Sequence, residues 1–517
     1  MTCGFACGAP WTGWDTGAAS SETHSAVVFF IGDRAYKLKK PVDLGFLDFS
    51  TPQAREAACH RETKLNRRFA PDVYLGVAEV RDPAGQACDH LVVMRRLPPS
   101  RRLSALVRAG VPAEGPVRRV ARILATQHAS APRDPGITRQ GSRDALWQRW
   151  KDNFAQIRQQ PAELADASVI DEAQHMTDRF LADRDPLFAE RARTGRIVDG
   201  HGDLLADDIF CLDDGPRILD CLEFDDRLRW VDGLDDAAFL AMDLERLAAP
   251  QLAERFIRWY AEYSGDPAPT SLRHHYAAYR SLVRGKVACL RAVQGDPEAA
   301  AEARQLFCMT LRHLRAAAVT LVMIGGLPGT GKSTLSAAVA GPLGFTVLSS
   351  DRIRKELAGI SPDEHHPAAY GTGLYTQSWT GRTYRETLNR ASALLRLGES
   401  VIIDASWNSA ELRAGVAAAA QSTAADLVQL RCTAPRTVTT QRLENRAGAS
   451  DADPCIAARM AAEEAPWTAA ITIDTASGTL TTPAGEPGKP ARQALNAIRP
   501  HGPEHTWRPT RPYMLPD

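Results

Sequence analysis

The feature that most constrains this chain is the run Thr320-Leu-Val-Met-Ile-Gly325-Gly326-Leu327-Pro328-Gly329-Thr330-Gly331-Lys332-Ser333-Thr334. Aliphatic residues enter a glycine-rich turn, and an Ala-rich helical pattern leaves it over 333–340. Gly326, four spacers, Gly331, Lys332 and Ser333 satisfy G-x-x-x-x-G-K-[ST]. Phosphate oxygens must come within hydrogen-bond distance of several backbone N–H groups. Side chains at Gly326, Gly329 and Gly331 would block that approach. A helix starting near Lys332 points its positive end at the same anion. Lys332 adds a full charge toward the β- and γ-phosphates, and Ser333 offers a hydroxyl to Mg²⁺. A tight turn that binds nothing explains the glycines but not Lys332 beside Ser333. Residues 326–334 are therefore expected to bind a nucleotide triphosphate.

Around this run the chain alternates strands and helices. Strands are expected at Leu321–Ile324, Phe345–Leu348, Val401–Ile403, Leu427–Arg431 and Ile471–Ile473. Near-continuous apolar strands separated by helices imply a parallel sheet covered on both faces, with ligands beyond its carboxyl ends. Asp351 follows the second of these strands, and Arg354 lies about one helical turn on. Asp351 suits the orientation or deprotonation of an acceptor hydroxyl, or else caps the next helix. Arg354 suits an anionic group on that acceptor. Asp404 ends a third strand, where a carboxylate supports Mg²⁺ or merely begins a turn. Arg442 and Arg446 fall at helical spacing after Arg436, as a lid over the phosphate or as a solvated face. This half resembles the small P-loop kinases of the gluconate, shikimate, zeta-toxin and polynucleotide 5′-kinase types. The pair Asp351 and Arg354 is similar to the acceptor-binding pair of the last.

The first 300 residues read differently. A hairpin is expected over Ser25–Ile31 and Ala35–Lys40, turning at Gly32. Alternation puts Lys37 and Lys39 on one face. A helix follows over Pro52–Phe69 and carries Glu62; strands are expected at Leu75–Val80 and Leu91–Arg95. Helices fill most of 103–192. Then come His201-Gly202-Asp203, with Asp208 five positions on, and Asp220 at the end of a short strand.

That ordered set resembles the catalytic loop of the aminoglycoside phosphotransferases, which have a protein-kinase-like fold. The resemblance implies Asp203 as base toward a hydroxyl, Asp208 and Asp220 as Mg²⁺ ligands, and a strand lysine paired with Glu62 on the nucleotide. Lys37 and Lys39 both remain open for that role. Three departures stand out. Asp208 occupies a place where the family has Asn, Leu205 replaces a basic residue, and no Gly-x-Gly-x-x-Gly covers the phosphates. Taken singly, His201 is a turn residue bonded to backbone. Residues 225–245 hold six Asp and one Glu, read as helix caps and a solvated face rather than a cation site.

Composition adds exclusions. Lys plus Arg and Asp plus Glu both total 62, so net charge gives no support to a nucleic-acid partner. Ten scattered cysteines without a Cys-x-x-Cys pair suit a reducing compartment, and no apolar run reaches membrane-spanning length. With no secretory pattern at the start, a cytoplasmic location is expected.

The expected fold class is α/β overall, with a bilobal kinase-like α+β part followed by a P-loop α/β part. Expected limits are a tail over 1–20, a kinase-like domain over 21–317, a P-loop domain over 318–500 and a tail over 501–517. The whole resembles a bacterial fusion of an aminoglycoside-phosphotransferase-like domain with a P-loop, AAA-type ATP-binding domain. It implies an ATP- and Mg²⁺-dependent phosphotransferase with a small hydroxyl-bearing acceptor. A polynucleotide 5′-kinase and a non-catalytic ATP-operated switch are the alternatives.

Overall fold

The structure, a computed structural model, describes residues 19–22, 25–43, 48–361, 371–445, 454–482 and 486–499. Arg446, His365, His366, Tyr370 and the tail over 501–517 lie outside the described residues. Contacts gather into two compact units: residues up to Gly141 with Arg191–Asp266, and Ser142–Glu190 with Pro267 onward. The units interleave along the chain.

The first unit opens with an antiparallel sheet of β1 (Ala19–Glu22), β2 (Ala26–Ile31), β3 (Arg34–Lys39), β4 (Tyr74–Arg81) and β5 (Ala87–Arg95), ordered β1-β2-β3-β5-β4. β1 starts inside the stretch read as a tail, because its backbone pairs with β2 from Ala19↔Phe30 to Glu22↔Val27. Helix Pro52–Asn66 is capped by Thr51, whose side chain accepts from the Ala54 amide, and begins with a proline that needs no donor. Cys59 of this helix packs with Ala35, Val73, Val92 and Met94 of the sheet side. Farther on, β6 (Ile197–Asp199) pairs with β9 (Trp230–Asp232), and β7 (Ile209–Leu212) with β8 (Gly215–Ile218). The loop 200–208 runs between β6 and β7, above the buried helix Gly233–Arg246.

The second unit is built on β10 (Thr320–Gly325), β11 (Thr346–Ser349), β12 (Val401–Asp404), β13 (Asp426–Thr433) and β14 (Ile471–Asp474). All neighbours are parallel, in the order β11-β12-β10-β13-β14. Helices Lys332–Leu343 and Lys489–Ile498 cover one face, burying Val322, Ile324, Ile402, Leu430 and Ile473. Helices Gln377–Arg396 and Ala410–Ser422 cover the other. The chain passes from β10 to β11 and β12 on one side and then crosses to β13 and β14 on the other, so the crevice beyond the carboxyl end of β10 is where this topology places a ligand. Among the described residues no helix is long and apolar enough to cross a membrane.

Glu399, in the turn before β12, has its pKa pushed up to about 7 by burial, against the pull of Arg273. A raised carboxyl pKa favours the fold while the group is protonated. That contribution is complete below the unfolded value, near 4.3, and is lost as pH rises through about 7. Glu399→Gln is therefore expected to flatten the stability profile between pH 5 and 8. At pH 8 it should raise the melting temperature, by about 2–4 °C per kcal/mol recovered. Melting curves at both pH values check this.

Candidate functional site

In the phosphate loop the glycines take conformations that other residues rarely adopt. Gly326, Gly329 and Gly331 have φ of 133°, 81° and 84°. A Cβ at Gly326 would overlap the Cys432 carbonyl, and one at Gly329 would lie 2.8 Å from the Thr439 carbonyl. Gly331 is the N-cap of helix Lys332–Leu343. The Leu327 carbonyl accepts both Thr330 Oγ1, at 2.7 Å, and Lys332 Nζ, at 3.0 Å. Gly326→Ala is expected to put roughly 1–3 kcal/mol of backbone strain into this loop, weakening any nucleotide held there about 5- to 150-fold. Calorimetric titration measures it.

A cavity of about 1680 Å³ opens beside this loop. Single small-molecule sites run to roughly 1,000 Å³, so it has room for a nucleotide and a second molecule. Pro328, Gly329, Gly331, Lys332, Ser333 and Thr334 line one end. Gly326, Leu327 and Thr330 belong to the loop but not to the cavity lining. Asp351, Arg354, Asp404 and Arg442 also reach the wall. The donor set suits a triphosphate: amides at a helix start, one lysine and glycines without room for Cβ. Ser333 and Asp404 suit Mg²⁺ as partial ligands. Among the described residues no three His, Cys, Asp or Glu side chains converge on a metal position. A Mg²⁺ there would complete its shell with phosphate oxygens and water.

At the other end Ser349, not Asp351, caps helix Ser350–Leu357. Asp351 instead accepts from Tyr375 Oη at 3.3 Å and stands 4.0 Å from Lys355 Nζ. Arg354 is buried; its Nη1 donates to the Leu374 carbonyl at 2.8 Å, and its guanidinium lies over the Tyr375 ring. The remaining wall here mixes neutral Gln377, Thr380, Tyr384, Ser406 and Asn408 with the exposed Arg352 and with Glu463.

The first unit holds a second charged constellation. Lys37 Nζ lies 2.9 Å from Glu62 Oε1 and 2.7 Å from Asp220 Oδ1. Lys39 Nζ lies 2.7 Å from Glu62 Oε2 and 2.6 Å from Glu223 Oε1. Both lysines thus share one face and one carboxylate. They differ in access, since the Lys37 side chain is 15% exposed and that of Lys39 only 2%. Burial opposes the charge on Lys37, but Asp220 and Glu62 hold its pKa well above the usual lysine value. Lys37 in turn holds Asp220 below the usual carboxylate range. Asp220 lies two residues beyond β8 with φ of 63°, a left-handed conformation that Asp tolerates better than most. Burial, then the charges of Asp220 and Asp203, push the Asp208 carboxyl well above the usual range. Asp207 is turned away, accepting from Ser104 and close to Arg108.

The acidic stretch after 225 is not a solvated face. Asp232, Asp235, Asp236, Asp243 and Glu245 are buried. Asp236 accepts from the amides of His201, at 2.7 Å, and Gly202, at 2.8 Å, and lies 2.9 Å from His128 Nε2. Gly200 is required beneath it, because a Cβ there would strike the Asp236 carboxylate. Asp243 accepts from the Ala206 amide at 2.9 Å. His201 is buried and bonds the Leu219 carbonyl through Nε2 at 3.0 Å. Capping does hold at Asp232, which accepts from Leu234, and at Asp225, which accepts from Arg227. Sequence reasoning missed Asp236 and His128, which lie 108 residues apart and share no motif.

Residues 321–465 match the family model of the AAA domain, the class that the phosphate loop and parallel sheet define. The chain is 46% identical over 456 residues to the uncharacterized protein Rv2004c of Mycobacterium tuberculosis (strain ATCC 25618 / H37Rv), covering 88% of this chain and 92% of that protein. It belongs to the family of that mycobacterial protein. Among solved structures it is similar to a choline/ethanolamine kinase family protein from Mesorhizobium loti, at 18% identity and a TM-score of 0.36, over 59% of this chain and 94% of that one. It is also similar to a gluconokinase from Sinorhizobium meliloti 1021, at 17% identity and a TM-score of 0.24, over 35% and 94%.

Proposed function

We propose that the protein is an ATP- and Mg²⁺-dependent phosphotransferase acting on a small hydroxyl-bearing molecule, with ATP held at the phosphate loop of the second unit. The observation that carries this is one cavity wall presenting Lys332, Ser333, Asp351 and Asp404 beside glycines held at positive φ. ATP would supply the phosphoryl group to the acceptor oxygen and leave as ADP; Mg²⁺, when bound, would supply charge neutralisation at the phosphate oxygens. The amides of Gly329 and Gly331 and the Lys332 ammonium would grip the triphosphate; Ser333 and Asp404 would hold the metal. Asp351 accepts the proton of the acceptor hydroxyl, with Tyr375 orienting its carboxylate. Arg442 stands at the loop as the lid cation. Excluding water from this crevice strengthens each of these contacts.

The wall beside Asp351 favours a small acceptor over a polynucleotide. Its one exposed cation among the described residues, Arg352, is set against Asp351 and Glu463, and its buried Arg354 is engaged with Leu374 and Tyr375. A strand of phosphates asks for a basic groove. The first unit is read as a second nucleotide site, with Lys37 and Glu62 on the phosphates, Asp208 and Asp220 on Mg²⁺, and Asp203 as base.

The test is a phosphate-transfer screen from labelled ATP over sugars, amino alcohols, aminoglycosides and 5′-hydroxyl oligonucleotides. It is run on the wild type, Lys332→Ala and Asp203→Ala. Transfer to a small acceptor that Lys332→Ala abolishes is the expected result. Loss with Asp203→Ala alone moves the activity to the first unit. Stoichiometric ATP binding without transfer to any acceptor supports a nucleotide-operated switch instead.

A further inference from the structure

One side chain at the rim of the phosphate loop belongs to no motif. Thr475 directly follows β14 and is 1% exposed. Its Oγ1 lies 2.7 Å from the Thr330 carbonyl, 3.2 Å from the Thr433 carbonyl and 3.0 Å from Arg442 Nη1. Arg442 Nη2 donates to the Thr475 carbonyl at 3.0 Å, while the Thr475 amide donates to the Thr433 carbonyl at 3.0 Å. A hydroxyl has one hydrogen, and the shortest contact assigns it to the Thr330 carbonyl. Its lone pairs then receive the guanidinium. Thr330 is itself buried, so its carbonyl depends on such a donor. The peptide it belongs to leads into Gly331, the left-handed residue that opens the helix. At Gly331 a Cβ would sit 3.4 Å from both Arg442 Nη1 and Thr475 Oγ1, so three chain segments meet there.

We propose that Thr475 is a positioning residue for nucleotide binding, whose hydroxyl fixes the Thr330–Gly331 peptide and holds the Arg442 guanidinium beside the phosphate loop. This rests on the reading of that loop as the ATP site. One hydroxyl ties the strand end, the loop and the lid helix Arg436–Glu444 together. Backbone bonds alone would hold β14 in the sheet without it. Its removal orphans the Thr330 carbonyl and leaves Arg442 with the Thr475 carbonyl and a longer contact to the Gly329 carbonyl.

Thr475→Val keeps the shape and deletes the hydroxyl; Thr475→Ser keeps the hydroxyl and deletes a methyl. The full-length protein is titrated with ATP in millimolar Mg²⁺ by calorimetry. The signal read is the binding component that Lys332→Ala removes. Thr475→Val is expected to weaken that Kd about 5- to 30-fold, and Thr475→Ser by less than about 3-fold. Arg442→Ala should cost less in the Thr475→Val background than in the wild type, because the two share one interaction. A merely structural role would lower the melting temperature or the fraction of protein that binds, and leave the Kd of the folded fraction unchanged. An unchanged Kd in Thr475→Val, or additive effects with Arg442→Ala, overturns this proposal alone. A wild type without any Lys332-dependent ATP binding overturns the phosphate-loop reading and this proposal with it.

Discussion

Lys332→Ala is expected to lower the rate of phosphate transfer by about 10²- to 10³-fold, the loss typical when one preorganised charge is removed from a transferring group. The effect should be large because the site offers few other cations at that end. Lys332 stands at the first position of the helix, and its Nζ is within reach of the loop it would share with a triphosphate. Arg442 is already engaged with Thr475 and the Gly329 carbonyl. Lys332→Arg should recover little, since a planar fork does not replace a compact ammonium in so tight a loop. Initial rates at saturating ATP, compared with rates at low ATP, separate a loss in the transition state from a loss in binding.

The second large effect concerns stability. Asp236→Asn is expected to cost the first unit about 3–5 kcal/mol, as when the carboxylate at the centre of a buried hydrogen-bond network is removed. In a unit of this size that corresponds to a fall in melting temperature of roughly 6–20 °C. Asp236 holds the amides of His201 and Gly202 while facing His128, so the asparagine leaves at least one of these partners unmatched. Asp225→Asn, at a half-buried turn where asparagine can still accept from the Arg227 amide, is the matched control and should change little. The pH dependence has a definite sign. Burial alone would raise the Asp236 pKa; the hydrogen bond and charge of His128, with the charge and amide of His201, override it and hold it well below the usual range. Its stabilisation is therefore complete above the unfolded value near 3.9 and is lost as pH falls below it. The Asn variant should lack that acid-dependent loss. Calorimetric unfolding of wild type and variant at pH 7 and pH 3 gives both results.

Much of the fold was legible because its signals are local. Aliphatic runs ending in Gly326, Asp404 and Ser349 marked three parallel strands to within a residue or two. The alternation Tyr36-Lys37-Leu38-Lys39 correctly placed both lysines on one face, and both meet Glu62. It offered no means of choosing between them, because the choice depends on Asp220 and Glu223, far along the chain. The acidic stretch misled for the same reason. Counting Asp residues says nothing about burial, and the groups that satisfy Asp236 come from a helix 108 residues earlier and from the loop above it. β1 was missed because Ala19-Ser20-Ser21-Glu22 lacks strand propensity and forms through pairing with β2. Thr475 was invisible for want of any pattern: a lone threonine after a strand acquires its role only when β14, the phosphate loop and helix Arg436–Glu444 converge.

The most direct measurement is equilibrium binding of ATP to the full-length protein in millimolar Mg²⁺, wild type against Lys332→Ala. The account predicts saturable, Mg²⁺-dependent binding, of which the component at the phosphate loop disappears in Lys332→Ala. A wild type that takes up no ATP, or binding that Lys332→Ala leaves wholly unchanged, would contradict it.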